Sequence, residues 1–161
     1  MRSSICNFCE IAPVKKVLLH RPGDEFLNLT PNSLNRLLFD EIPYLKVAQQ
    51  EHDAFANALR AEGVEVVYVT DLIAEALDAG GRTVRKKFIE QFIAEAGVTS
   101  AKLAKYCFEF LNSYKDNRDL VKKCIAGTDM TELKKIRNIS GFYATRDIGK
   151  MILDPIPNIY C

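Results

Sequence analysis

The chain has 161 residues, 48% of them apolar and 27% charged, a balance that excludes a disordered tail as a description of the whole. Lys and Arg number 22 against 21 Asp and Glu, and the formal net charge of +1 lacks the basic excess of a dedicated nucleic-acid binder. No apolar run reaches the ~18–20 residues of a bilayer span, and the opening Met1-Arg2-Ser3-Ser4 leads into a stretch too short and too polar for a secretory signal. In chain order, the first element is a strand over 13–20, stopped by Arg21-Pro22-Gly23, where proline lacks a ladder donor and glycine permits a turn. Residues 24–41 read as irregular, with a short helix near Ser33–Leu38. Leu45, Ala48, His52, Phe55 and Leu59 then recur at steps of three and four, so they predict a helix with one apolar face. Pro43 suits its first turn and Gly63 its C-terminal stop. Val64–Val69 is a β-branched run and predicts a strand. Residues 1–70 therefore read as a β–loop–α–β module of a mixed α/β protein.

The period then changes. Asp71 is placed to cap a short helix that Gly80-Gly81 ends. Thr83 is placed to cap a second, with Val84, Phe88, Phe92 and Ala96 on one face. Ser100 starts a third, carrying Leu103, Cys107, Phe110 and Leu111. Asp116 or Asn117 starts a fourth, carrying Leu120, Val121, Cys124 and Ile125, and Gly127 stops it. Thr131 starts a fifth, with Leu133 and Ile136. Short helices with short connections predict a helical insertion over 71–140. Residues 141–161 return to the α/β part, with Met151-Ile152-Leu153 opening a strand before the stiff Asp154-Pro155-Ile156-Pro157-Asn158.

Few residues carry visible chemistry. The five cysteines are odd in number and irregular in spacing. They read as reduced thiols of a cytoplasmic protein, and Cys6-x-x-Cys9 has no second pair to complete a zinc site. The two histidines, His20 and His52, are too few for a multi-histidine metal site. His20 ends a strand before a turn, where functional residues gather. His52 reads as a hydrogen-bonded residue at the edge of the core. Gly23-Asp24-Glu25-Phe26 matches part of the signature of cyclic-dinucleotide synthases, but Pro22 replaces its first glycine, and the match reads as chance. Arg85-Lys86-Lys87 reads as a solvated face. No phosphate loop, nucleophile elbow or dinucleotide fingerprint is present.

Four segments together resemble the N-terminal part of the arginine deiminase family. They are Lys15-Lys16-Val17-Leu18-Leu19-His20-Arg21-Pro22-Gly23, then Arg36-Leu37-Leu38-Phe39-Asp40-Glu41-Ile42-Pro43-Tyr44-Leu45, then Ala48-Gln49-Gln50-Glu51-His52-Asp53-Ala54-Phe55, and finally Asp154-Pro155-Ile156-Pro157-Asn158-Ile159-Tyr160. The resemblance implies the first module of a guanidine-modifying α/β propeller with a helical-bundle insertion. It implies hydrolysis of L-arginine to L-citrulline and ammonia through a cysteine-bound intermediate, without a cofactor, in a cytoplasmic homo-oligomer with neither nucleic-acid nor membrane partners. Residue by residue, Leu38 matches a position lining the arginine pocket. Asn158 matches the asparagine that holds the substrate α-carboxylate. Cys161 stands where the family has a phenylalanine, and none of the five cysteines matches the nucleophile. The nucleophile, the catalytic histidine and further carboxylates are expected C-terminal to this part, so the chain alone is expected to be inactive. The alternative is a non-catalytic arginine-binding or subunit-interaction module derived from that enzyme. A lone propeller module leaves strand edges and an apolar face unpaired, so marginal stability or self-association is expected.

Overall fold

A computed structural model describes residues 9, 11–31, 33–136 and 151–157 of the chain. It is a mixed α/β structure. Strand β1 (Lys16–Leu19) leads through a loop with one 3-10 turn (Asn35–Leu37) to helix α1 (Leu45–Ala61) and strand β2 (Glu65–Tyr68). The two strands pair in parallel, Lys16 with Glu65 through Leu19 with Tyr68. Helices α2 (Val69–Glu95), α3 (Ala101–Asn112) and α4 (Asn117–Ala126) follow. Strand β3 (Thr128–Asp129) and helix α5 (Met130–Ile136) come next, and β4 (Met151–Leu153) returns antiparallel to β3.

Local chemistry explains where these helices begin. The Ser100 hydroxyl accepts from the Leu103 amide and the Asp116 carboxylate from the Asp119 amide, as expected of N-caps. Asp129 and Glu132 satisfy each other's backbone at the start of α5. The Glu132 amide donates to Asp129 Oδ1 at 2.8 Å, and the Asp129 amide to Glu132 Oε2 at 3.2 Å. The helix therefore begins at Met130, one residue before the expected Thr131. Gly63 follows α1 at φ +79°, while Pro43 precedes the helix instead of lying in its first turn.

The core lies among the helices. Ile89, Ile93, Leu103, Cys107, Phe110, Leu111, Leu120, Val121, Cys124 and Leu133 form one buried cluster with Leu153 of β4. The stripes expected on α3 and α4 are thus the buried ones. Of the stripe expected after Gly81, Phe88 and Phe92 pack half-buried against the cluster, while Val84 and Ala96 are exposed and Ile89 and Ile93 are the fully buried positions. Gly81, at φ 64° and ψ −163°, breaks the helical run as expected. Helix continuity differs accordingly: α2 starts at Val69, directly after the strand, and neither Asp71 nor Thr83 caps it. Asp71 instead pairs with Arg118 of α4 at 3.1 Å. On α1 the fully buried residue is Ala56, while Phe55 is 55% exposed. Arg85 also departs from a solvated face, because it donates to Asn117 Oδ1 and to the Tyr114 carbonyl and so ties α2 to the start of α4.

The thiols of Cys107 and Cys124 are free and buried in this cluster. Burial pushes the first up to about 11 and the second to about 12. Both should therefore resist alkylation by iodoacetamide at pH 8 while the exposed Cys9 reacts, as mass spectrometry of partly labelled chain would show. Rapid labelling of Cys124 in folded protein would contradict this packing.

Candidate functional site

Two places in the structure bear on function. The first is the turn that follows β1. The His20 imidazole and the Glu25 carboxylate are 7% and 3% exposed and meet at 2.8 Å. A carboxylate only accepts, so His20 Nε2 carries the hydrogen. Glu25 Oε1 also accepts the Gly23 amide at 2.6 Å. A side chain at Gly23 would strike this carboxylate, since its Cβ would fall 2.8 Å from Glu25 Oε2. Two further contacts pin the turn to α1. Arg21 grips Asp53 with both Nε and Nη2, at 2.7 and 2.8 Å, and Gln49 donates to the Pro22 carbonyl at 2.9 Å. The Arg21 guanidinium beside it holds the Asp53 carboxyl below its ordinary value.

His52 sits beside this turn with its ring 5.8 Å from that of Tyr68. Contrary to expectation, its buried Nε2 has no hydrogen-bond partner among the described residues. Burial lowers its pKa, opposed by Asp53 and reinforced by Arg21, His20 and Arg60. A histidine with a depressed folded pKa costs no stability above its unfolded value near 6.5. Stability then falls as pH drops below that value and levels off once the folded pKa is passed. The urea midpoint should therefore fall between pH 7 and pH 5, and His52→Gln should flatten that slope. An equally steep slope in the variant would show that other groups cause it.

A cleft of about 570 Å³ opens between this turn and α4, with His20, Glu25, Tyr68, Asp71, Arg118 and Lys122 among its lining residues. Its charges balance, and neither a cysteine nor a serine lines it. It offers polar and charged contacts, and Leu38 is not part of it.

The second place is the turn around Leu38. Its φ of 60° and ψ of 39° make it left-handed, and it is the one non-glycine residue with positive φ among those described. That conformation costs a β-carbon-bearing residue about 1–3 kcal/mol and gathers at functional positions. The turn is closed by the Phe39 amide donating to the Leu34 carbonyl at 3.0 Å. The Leu38 side chain is 83% exposed. Asn158, the other expected substrate contact, lies outside the described residues, as do Cys6 and Cys161. Sequence reasoning missed Glu25 as a partner for His20, although a histidine five residues before a glutamate across a Pro-Gly turn is a readable pattern. It also missed Arg36, which grips Asp154 with both terminal nitrogens at 2.7 and 2.8 Å.

The comparison with known proteins decides the family. The model described as "Arginine deiminase" matches residues 35–161. The chain belongs to the arginine deiminase family. Relatives named arginine deiminase include one from Clostridium perfringens, 49% identical over 151 residues, covering 94% of this chain and 36% of its own length. Another, from Treponema denticola, is 48% identical over 151 residues, covering 94% of this chain and 37% of its own. A third, from Lentilactobacillus hilgardii, is 45% identical over 160 residues, covering 99% and 38%. The chain thus spans little more than a third of the arginine deiminases it matches. No helix among the described residues is long and apolar enough to cross a membrane.

Proposed function

We propose that this chain is the N-terminal part of an enzyme that hydrolyses L-arginine to L-citrulline and ammonia. The observation that carries the reading is the family match over 35–161, supported by identities near one-half to the relatives named above. In the complete enzyme a cysteine thiolate attacks the guanidinium carbon and ammonia leaves. Water then cleaves the resulting thiol-linked intermediate, releasing citrulline and regenerating the thiol. Cys107 and Cys124 do not suit the first step, because a pKa pushed to about 11 or 12 keeps them protonated at neutral pH. In this reading the nucleophile and the proton-shuttling histidine belong to the rest of the enzyme, since the family resemblance matches none of the five cysteines to the nucleophile. The chain's own contribution is Leu38, which covers the substrate's aliphatic stem, and Asn158, which binds its α-carboxylate. The strained, solvent-facing geometry of Leu38 supports the first assignment.

Architecture follows the same reading. Residues 1–70 form the first unit of an α/β propeller, 71–140 a helical insertion, and 141–161 the return to the propeller. The parallel β1–β2 pair and the helical cluster from α2 to α5 support it. The buried, reduced thiols favour a cytoplasmic setting. Exposed apolar side chains on and before α1, Tyr44, Val47 and Phe55, favour packing against further chain or a second copy.

The test joins this chain to the remaining two-thirds of the Clostridium perfringens relative and measures citrulline formation. Activity is expected, with Leu38→Ala raising KM about tenfold and Asn158→Ala lowering kcat/KM about a hundredfold. A folded, inactive chimera would overturn the reading. So would arginine binding by the chain alone at Kd tighter than about 1 mM, ~4 kcal/mol, which would mark a free-standing binding module.

A further inference from the structure

The turn after β1 is tied to α1 by few bonds. Among the described residues they are the fork from Arg21 to Asp53 and the bond from Gln49 to the Pro22 carbonyl. The two members of the fork are 43% and 45% exposed, so it contributes little stability. His52 sits beside this junction. Its Nε2 is buried and lacks a partner among the described residues, and its ring packs near that of Tyr68 on β2. The charged and titratable groups around it are Asp53 and Arg60 on α1, His20 and Arg21 of the turn, and Tyr68. The carboxylate among them already has both oxygens on Arg21. A protonated imidazole carries hydrogen on both nitrogens. Charging His52 therefore sets a cation beside two guanidinium groups and puts a buried N–H where nothing accepts it.

We propose that His52 is a proton-operated catch, whose protonation opens the Arg21–Asp53 grip and lets the turn after β1 come off α1. The inference goes beyond the arginine-hydrolysing reading and does not depend on it. His20, Arg21, Pro22 and Gly23 of this turn line the cleft, so its release moves one wall of that cavity. A proton shifts a conformational equilibrium only by binding one form better than the other. Here it binds the open form better, because water then reaches Nε2 and repulsion from Arg21 eases. Burial, reinforced by Arg21, His20 and Arg60, holds the closed form's pKa below the ordinary 6.5, which agrees. The closed form is therefore favoured above 6.5. Between the two values the ratio of open to closed rises about tenfold per pH unit, and below the folded value it levels off. Asp53 does not release the fork in that range, since the bond from Arg21 holds its carboxyl below the ordinary 3.8. The turn is the part that yields. Tyr68 is fixed in the strand ladder opposite Leu19, whereas the turn depends on an exposed fork and one bond from Gln49.

Nuclear magnetic resonance of the isotope-labelled full chain tests this through two signals, the Arg21 Nε–H and the His52 ring. Arg21→Lys assigns the first by deleting it, and His52→Gln assigns the second. Between pH 7 and pH 5 the Arg21 signal should move from its bonded position to that of a free guanidinium, with the same midpoint as the His52 titration. In His52→Gln it should stay at the bonded position across that range. An Arg21 signal that ignores the protonation of His52 would overturn the proposal, and so would one that moves equally in His52→Gln. Should that variant fail to fold, the two midpoints in the parent still decide. Asp53→Ala adds a check of sign. Loss of a neighbouring carboxylate alone lowers the His52 midpoint, whereas release of the turn raises it toward 6.5. A rise is expected, and a fall would overturn the proposal.

Discussion

Replacing Gly127 with alanine is expected to remove about 4 kcal/mol of stability. The glycine ends α4 at φ 80° and ψ 176°, a region that side chains scarcely enter. Space is equally short. An added Cβ would lie 2.6 Å from the Pro155 nitrogen and 2.7 Å from the Leu153 carbonyl oxygen. Both neighbours are backbone, so neither swings aside. The same position lets β4 pass close enough to pair Leu153 with Thr128 and to bury Leu153 completely. Strain and overlap therefore add, at about 1–3 kcal/mol each. For a chain of this size the midpoint of thermal unfolding should drop by about 10 °C. Circular dichroism melts of the two proteins check it, and a loss under about 1 kcal/mol would show that the segment after β4 can move away from α4 freely.

Glu25→Ala is expected to cost about 3 kcal/mol. Its carboxylate is nearly inaccessible and serves two donors, His20 Nε2 and the Gly23 amide. His20 Nδ1 already lacks a hydrogen-bond partner among the described residues. Truncation would leave both imidazole nitrogens and one amide buried without partners, and unmet buried polar groups are costlier than the bonds they replace. Replacing both residues by apolar ones of similar size, His20→Leu with Glu25→Met, should recover most of the loss. Urea unfolding of the single and double variants measures this. A single variant as stable as the parent would mean that water reaches the pair. A double variant no better than the single one would mean that the pair itself, not its orphaned groups, carries the stability.

What could be read from sequence was mostly what is decided locally. Ser100 and Asp116 announced their helices because a cap needs only the next three residues. Gly81 announced a break for the same reason, but not its consequence. Beyond it the expected stripe holds at Phe88 and Phe92, which pack on the core, but Ile89 and Ile93 are buried there while Val84 and Ala96 are exposed. Strand β3 escaped notice because two residues carry no period at all. At the candidate site, the family motif pointed to Leu38, and the structure added its unusual backbone. Arg36 and Asp154 were invisible as a pair because 118 residues separate them and each looks, alone, like any surface charge. His20 was legible as a residue at a turn, whereas its partner required the turn to be folded first.

The bonds from Asn28 to the end of α4 and from Arg36 to Asp154 also set an order of events during synthesis. Capped helices and the packing of α2 on its neighbours use contacts close in sequence, which form quickly as the chain emerges. The loop after β1 can be tied to α4 only after Ala126 has appeared, and to Asp154 later still. Closing loops of that length costs chain entropy that local contacts do not. The stretch bearing Leu38 has its own turn contacts from the start but gains its tie to Asp154 only after some 118 further residues are made. Among the contacts described it should lock late, and in the folded chain it should open early. Brief protease treatment of the native protein is then expected to cut near that stretch before it cuts the helices.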